Sequence, residues 1–221
     1  MKILALEFSS SHRSVAVAEV GAPSAELPIL GTAQESSSSE AKPFASIEAA
    51  LAKAKWTRDK IDLIVVGLGP GSYTGIRIAI SIAQGWQLAR GVKLLGISTV
   101  EALAWKARGE SKPGTIHIVV DAHRGEFYLG SATSNSPPQQ FREALRLVSG
   151  DEVQRLLDSG ETVVGPDLPF TAAQKIFPEA SALIQLAAKR GDFVSGDQLE
   201  PIYLRPVSFV KAPPPRLIVG S

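Results

Sequence analysis

The chain has 221 residues, of which 44% are hydrophobic and 20% are charged, and its formal net charge at pH 7 is +1. This length can bury a substantial core in one large or two small domains, and so small a net charge gives no general attraction to nucleic acid or membranes. Cysteine is absent, which excludes disulfides, a thiolate nucleophile and a zinc site with cysteine ligands. The apolar runs are too short for a transmembrane helix and the N-terminus lacks a signal-peptide pattern, so we expect a soluble cytoplasmic protein.

The first half of the chain alternates predicted strands and helices. A hairpin across a short polar link is predicted for the strands 2–8 and 13–20. The run 61–69 is apolar on both faces, which is typical of a buried parallel strand. The remaining predicted elements are strands at 27–35 and 93–98 and helices at 42–56, 74–90 and 99–108.

After a linker at 111–114, the N-terminal pattern recurs. Residues 115–133 again give a strand that ends in an acid, a polar link and a second strand, with Asp121 in the place of Glu7. A strand, a helix, a strand and a helix are then predicted at 142–148, 151–160, 161–166 and 180–191. The order β-β-β-α-β-α therefore occurs once clearly and a second time more loosely, which predicts an α/β protein of two related subdomains, 1–110 and 111–221, the second ending in a proline-rich tail.

A glycine-rich segment, GLGPGSYTGIRI, joins the buried strand to the helix at 74–90. A Walker loop requires a lysine after its last glycine, and here Gly75 is followed by Ile76. The third glycine of a dinucleotide fingerprint is also out of place. The alternatives are an anion site at the helix N-terminus and a tight strand-to-helix turn with Ser72 or Thr74 as N-cap. We favour the turn, built from Gly69, Pro70, Gly71, Ser72, Thr74 and Gly75.

The two strand-end acids and the three histidines are the remaining candidates for chemistry. Glu7 and Asp121 can ligate a magnesium ion or orient water, or can be solvated or capping carboxylates, which we favour. His12, His117 and His123 form no helical pair suited to a metal. His117 lies in an apolar strand, which indicates a core residue. His123, beside Asp121, could act as a base, but we do not favour that role. We expect neither a metal nor a cofactor.

The predicted helix 74–90 is apolar around its whole circumference, so it needs cover on more than one side. The alanine-rich helix 42–56 can be its neighbour, and the two together would present a flat apolar face to another protein. An internal second layer of structure is the alternative explanation.

Four segments of the sequence resemble the TsaB (YeaZ) family: ILALEFSSSHRSVAVAEV at 3–20, the run from IDLIVVGLG to STVEALA at 61–104, DAHRGEFYL at 121–129 and PIYLR at 201–205. GPGSYTGIR at 69–77 is the most specific of these matches. The resemblance implies two subdomains of the ribonuclease-H-like, actin/Hsp70-like (ASKHA) kind. It also implies a role in making N6-threonylcarbamoyladenosine at position 37 of tRNAs that read codons beginning with A.

The resemblance implies that the paralogue TsaD is the transferase, that TsaB is its non-catalytic partner, and that the ATPase TsaE joins them. Family members pair with TsaD, or with themselves, through the two helices that would be 42–56 and 74–90 here. The helix 42–56 lacks the His-x-x-x-His pair with which TsaD binds metal, so the older metallopeptidase (M22, glycoprotease) description does not apply. Glu7 stands where the family usually has Asp, which weakens the case for a nucleotide site.

These considerations predict a scaffold or activator that holds TsaD in an active state, with tRNA reached indirectly through the complex and with no turnover of its own. The partner interface is predicted at Phe44, Ile47, Leu51, Tyr73, Arg77, Ile80 and Gln84. The rival is an enzyme, a nucleotide-dependent phosphotransferase that uses Glu7, Asp121 and the glycine loop. A third possibility is a homodimer with a different partner.

Overall fold

Two five-stranded mixed sheets form the framework of the fold. The structure is a computed structural model that describes residues 1–21, 27–36, 42–110, 114–133 and 141–204. In the first sheet the strands are β1 (Lys2–Glu7), β2 (His12–Glu19), β3 (Ile29–Ser36), β4 (Leu63–Gly67) and β5 (Lys93–Ile97). Their order is β3-β2-β1-β4-β5, with β1, β2 and β3 antiparallel and β1, β4 and β5 parallel.

The second sheet repeats this arrangement. Its strands are β6 (Thr115–Asp121), β7 (Glu126–Thr133), β8 (Phe141–Ser149), β9 (Thr162–Gly165) and the two-residue β10 (Gln174–Lys175). Their order, β10-β9-β6-β7-β8, mirrors the first sheet strand for strand, and again the first three strands are antiparallel and the later ones parallel. The α/β class, the two subdomains and the repeated β-β-β-α-β-α order are therefore confirmed, while β10 was not predicted.

Among the residues that the structure describes, five helices cover the sheets: α1 (Pro43–Lys53), α2 (Tyr73–Arg90), α3 (Thr99–Glu110), α4 (Gly150–Asp158) and α5 (Ala180–Ala187). Short 3-10 turns lie at Arg58–Lys60 and Gly196–Gln198. Helix α1 ends three residues before the predicted limit of 56, because Lys55 adopts the left-handed conformation at φ 57° and Trp56 N–H turns back to the Leu51 carbonyl at 3.0 Å. No helix in the described part of the chain is long and apolar enough to span a membrane.

The central strands β1 and β4 of the first sheet are buried on both faces, which explains their unbroken apolar runs. Strand alternation in β1 sends Leu4 and Leu6 towards α1 and α2, and Ile3 and Ala5 towards α5. Helix α3 packs against the first sheet through Ala102 and against the second sheet with most of its other apolar residues. Helix α4 closes the opposite face of the second sheet.

Helix α5 follows the strands of the second sheet along the chain but packs on the first sheet. Ala180 N–H donates to Ser14 Oγ in β2 at 2.9 Å. The Gln185 side chain bonds both backbone groups of Leu27, each at 2.8 Å. The division of the chain at residue 110 stays a prediction, and α5 crosses it to complete the first core.

The last described residues, 194–204, run back along the first sheet, and we call them the C-terminal strap. Val194 N–H donates to the Leu94 carbonyl of β5 at 2.9 Å, Leu199 is buried in the core, and Ile202 N–H donates to the Leu68 carbonyl at 2.8 Å. The predicted proline-rich tail beyond residue 204 lies outside the described residues. The strap joins the end of the described chain to the glycine-rich segment at the start of α2.

Candidate interaction surface

The glycine-rich segment forms the turn between β4 and α2. Gly69 has a φ of +88°, a value that side chains with a Cβ atom rarely adopt. Ser72, rather than Thr74, is the N-cap of α2, and its Oγ accepts from Gly75 N–H at 3.2 Å. Thr74 is exposed on the first turn of the helix. The segment therefore reverses the chain and caps the helix within a few residues.

The turn is also pressed against the backbone that follows β1. A Cβ atom at Gly71 would lie 2.1 Å from the Ser9 carbonyl oxygen, and one at Gly75 would lie 1.9 Å from that of Phe8. Ser72 N–H donates to the Ser9 carbonyl at 2.6 Å. Two N–H groups that a phosphate cradle would offer, those of Ser72 and Gly75, are thus already bonded within the protein.

Glu7 lies beneath this turn with no solvent exposure. Its Oε1 accepts from Ser9 N–H at 2.8 Å and its Oε2 accepts from the Thr99 hydroxyl at 3.3 Å. Burial raises the pKa of Glu7 from its usual value, and the hydrogen bonds from Ser9 and Thr99 act in the opposite direction. A Cβ atom at Gly67 would lie 2.1 Å from Oε2, so the glycine provides the space that this carboxyl occupies. Glu7 ties the β1–β2 link to the start of α3 and is enclosed by protein.

Asp121 is in a different environment from Glu7. Its side chain is half exposed, and Oδ1 accepts from His123 N–H at 2.7 Å while His123 Nδ1 lies 3.6 Å from Oδ2. His117 lies in β6 with Nδ1 3.0 Å from Ser131 Oγ. The two acids share no hydrogen-bond partner among the residues described. Over that same part of the chain, no three His, Asp or Glu side chains form a group that could hold a metal ion.

Helices α1 and α2 lie side by side on one face of the first sheet, and their outward side forms what we call the α1–α2 face. A groove of about 480 Å³ runs along it, lined by Pro43, Phe44, Thr74, Arg77, Ile78, Ser81, Ile82 and Gly85. A second hollow of about 530 Å³ continues towards the C-terminal end of α2, lined by Phe44, Thr57, Arg58, Asp59, Gly85, Trp86, Ala89 and Arg90. Phe44 and Gly85 border both, so the two form one continuous surface.

Four of the seven predicted interface residues lie on the protein surface. Phe44 is 53% exposed and Tyr73 is 58% exposed. Arg77 is exposed, and its guanidinium stacks on the Tyr73 ring at 4.2 Å. The Gln84 side chain is exposed along part of its length, but its amide donates to the Gly196 carbonyl of the strap at 2.7 Å.

The other three predicted interface residues are in the core, which corrects the prediction for them. Ile47 and Leu51 of α1 and Ile80 of α2 are 0%, 1% and 6% exposed and belong to the cluster between the helices and the first sheet. The physical reason is that the most apolar stripe of each helix is the one that packs on the sheet. These side chains hold the helices on the sheet and are not exposed on the surface of the chain.

Several residues of the surface were missed. Thr74, Ile78, Trp86 and Ala89 line the grooves, together with Ile82, which is only 8% exposed and also belongs to the core cluster. Their spacing along α2 of three or four residues is a signal that could have identified them once the inward stripe was assigned.

The comparisons with known proteins agree with the fold. The family model described as TsaD, tRNA N6-adenosine threonylcarbamoyltransferase, matches residues 34–169. The tRNA threonylcarbamoyladenosine biosynthesis protein TsaB of Buchnera aphidicola is 34% identical over 61% of this chain and 61% of its own length, so the chain matches less than two thirds of that relative. The Escherichia coli protein of the same name is 27% identical over 66% of this chain and 71% of its own length.

A crystal structure from Pseudomonas aeruginosa, described by its similarity to the peptidase YeaZ, superimposes with a TM-score of 0.74 at 26% identity, over 92% of this chain and 99% of that one. The family model covers more than half of the chain, and the relatives and this structure carry the TsaB and YeaZ names. The chain therefore belongs to the TsaB (YeaZ) family, within the wider family that the TsaD model describes.

Proposed function

We propose that the protein is a non-catalytic partner and activator of a TsaD-type transferase that makes N6-threonylcarbamoyladenosine at position 37 of tRNAs reading codons beginning with A. The observation that carries the proposal is the α1–α2 face: a continuous grooved surface with an exposed phenylalanine at its centre. Apolar grooves of this kind on a soluble protein mark interaction sites. The names of the relatives supply the pathway.

The shape of the face suits a helix as its ligand. Ser81, Gly85 and Ala89 follow one another at four-residue intervals along α2 and line the grooves. Small side chains at this spacing let a second helix approach closely, since interaxial distance depends on the side chains at the contact. Phe44 stands beside this stripe as an aromatic anchor. The TsaD paralogue, related to this chain through the matched family model, would present the corresponding pair of helices.

The interior of the site supports a role without turnover. The Glu7 carboxyl is enclosed, with both oxygens bonded to Ser9 and Thr99. The backbone N–H of Ser72, at the place where a phosphate would bind, is bonded to Ser9. A nucleotide would need an accessible carboxylate for its metal ion and free N–H donors for its phosphates. The Glu7 carboxyl is enclosed and the Ser72 N–H is already bonded, so neither group supports nucleotide binding. We therefore infer that the transferase chemistry belongs to the partner, with the ATPase TsaE joining the complex.

The direct test is a threonylcarbamoyl transfer assay with the TsaD-type partner, TsaE, ATP, an activated threonylcarbamoyl donor and an unmodified tRNA, with and without this protein. We expect the modification rate to depend on the protein, which alone should show no transfer. Equal rates with and without it would contradict the activator role. Micromolar binding of ATP and magnesium to the isolated chain by titration calorimetry would instead favour the phosphotransferase.

The test of the face is a binding measurement with Phe44→Ala. Removing a half-exposed ring should leave folding intact and weaken the complex by about tenfold or more, as expected for an aromatic anchor. Leu30→Ala is the matched control, since Leu30 is 40% exposed on β3 and lines neither groove. Equal affinity of both variants and the wild type would refute this location. Gel filtration of the same variants tests whether the isolated protein uses this face to form a homodimer.

A further inference from the structure

The PIYLR segment at 201–205, singled out in the sequence, has no part in the function proposed so far. The structure places its first residues against the turn before α2. Ile202 N–H donates to the carbonyl of Leu68 at 2.8 Å, and Leu68 lies two residues before Pro70 of the turn. This bond fixes the position of the next residue, Tyr203, beside the first turn of α2.

Tyr203 completes a stack of three side chains on the protein surface. Its ring lies on the Tyr73 ring, with centroids 5.6 Å apart and an interplanar angle of 24°. The Arg77 guanidinium lies on the Tyr73 ring as well, 4.2 Å from its centroid. Tyr203 is 39% exposed, so the stack remains open to a partner. Stacking on a ring restricts the rotamers of a long arginine side chain, and that restriction lowers the entropy lost when the arginine binds.

The rest of the strap is fixed to α2 from the side. Gly196 donates its N–H to Gln87 Oε1 at 2.7 Å and accepts from the Gln84 amide at its carbonyl, also at 2.7 Å. A Cβ atom at Gly196 would lie 3.1 Å from Gln84 Cγ and from Gln87 Oε1, so the two glutamine side chains closely surround this glycine. With Leu199 buried beyond it, the strap reaches Tyr203 as an anchored segment.

Arg77 retains unused hydrogen-bonding capacity. Within the described part of the chain it makes the ring contact with Tyr73 and no ion pair. Its planar group carries five N–H donors suited to a carboxylate. Arg77 also lines the groove on the α1–α2 face, so the stack is continuous with the surface proposed to bind the transferase.

We propose that Tyr203 and Arg77 extend the α1–α2 face, with Tyr203 acting as a positioning residue that holds Tyr73 and Arg77 ready for a carboxylate of the TsaD-type partner. This inference rests on the proposed function and adds a second, polar contact to the apolar groove. It gives the C-terminal strap a role: the strap builds one end of the interface, and the partner helix that enters the groove carries an acidic side chain at that end.

The experiment measures the affinity of the TsaD-type partner for full-length variants by titration calorimetry. Arg77→Ala should weaken binding about tenfold or more, and the loss should shrink at high salt, since ion pairs are screened. Arg77→Lys should recover only part of the affinity, because lysine lacks the planar fork. Tyr203→Ala should weaken binding about three- to tenfold, whereas Tyr203→Phe keeps the ring and should bind as the wild type does.

The double variant distinguishes positioning from direct contact. If Tyr203 acts through Arg77, Tyr203→Ala combined with Arg77→Ala should bind no more weakly than Arg77→Ala alone. Additive losses, or wild-type affinity of the Tyr203→Ala variant with an unchanged unfolding midpoint, would overturn the positioning role. Wild-type affinity of Arg77→Ala would overturn the carboxylate contact. Absence of binding by the wild-type chain would instead reject the proposed function, which separates the two failures.

Discussion

Two glycines of α2 should respond in opposite ways to the same substitution. Gly75 lies in the first turn and Gly85 on the outer side of the helix. Both Gly→Ala changes add one methyl group and gain the higher helix propensity of alanine, which stabilises a helix interior by about 0.8–1.0 kcal/mol. A Cβ atom at Gly85 would meet nothing within 4 Å, so Gly85→Ala should show this stabilisation in full.

At Gly75 the new methyl would collide with backbone. Its Cβ would lie 1.9 Å from the Phe8 carbonyl oxygen, and since real Cβ contacts essentially never fall below 3.0 Å, at least 1.1 Å of movement is needed (3.0 minus 1.9). That movement must separate α2 from the segment after β1, which the 2.6 Å bond between Ser72 N–H and the Ser9 carbonyl holds in place. Overpacking in a well-packed site costs about 1–3 kcal/mol. The clash therefore exceeds the gain in propensity.

Urea unfolding followed by circular dichroism measures both variants. We expect Gly75→Ala to be less stable than the wild type and Gly85→Ala to be about 1 kcal/mol more stable. Gly85 borders both grooves, so Gly85→Ala should also bind the transferase partner more weakly despite its greater stability. Equal stabilisation of the two variants would refute the close approach of the turn to Phe8.

Three further predictions concern buried or partly buried residues. Burial raises the pKa of Glu7, so the native state keeps a proton that the unfolded chain loses above about pH 4.5. The free energy of unfolding of the wild type, measured relative to that of Glu7→Gln, should therefore fall as the pH rises. The fall should be at most about 1.4 kcal/mol per pH unit, and it should end above the pKa of Glu7 in the folded protein. A rising or flat difference in urea unfolding from pH 4 to 8 would contradict this. Ile80→Ala should lower the free energy of unfolding by about 2–5 kcal/mol, and Ile80→Glu should unfold the chain, whereas a folded Ile80→Glu variant would show that the residue is not in the core. Arg190 Nη1 lies 3.4 Å from Glu101 Oε2. Burial raises the pKa of Glu101 and the charge of Arg190 lowers it, so Arg190→Met should destabilise the fold by about 1–3 kcal/mol, and more at pH 7 than at pH 5. A loss of stability that does not depend on pH would refute the pairing.

The sequence was sufficient to predict the five helices, every described strand except β10 and the twofold repeat, because hairpins, apolar runs and helix periodicity are local patterns. It was misleading for the surface of the first two helices. Periodicity identifies which residues of a helix lie on the same side, and the prediction assigned Ile47 and Ile80 to the outer side. In the structure the most apolar side of each helix packs on the sheet, so both residues are buried. Phe44, next to the helix start, was predicted to be part of the interface and is exposed.

The contacts made by the later parts of the chain could not be predicted, because they join residues far apart in sequence. Ala180 bonds Ser14 across 166 positions, and Gly196 bonds Gln84 across 112. The apolar character of α5 predicts that it is buried but not on which sheet. The stacking of Tyr203 on Tyr73 depends on the path of the strap, for which no local pattern exists.

The packing of α5 and the strap on the first sheet has a consequence for synthesis of the protein. The strands of the first sheet are complete once Ile97 has been made, yet the face that α5 covers, with Ile3 and Leu95 on it, stays open until residues 180–187 follow. A nascent chain thus carries an uncovered apolar surface while roughly 80 residues, those between Ile97 and Ala180, are being added. Such surfaces are prone to aggregation, and long-range closure slows folding. Release of a chain truncated before α5 should therefore produce insoluble protein even though all five strands of the first sheet are present.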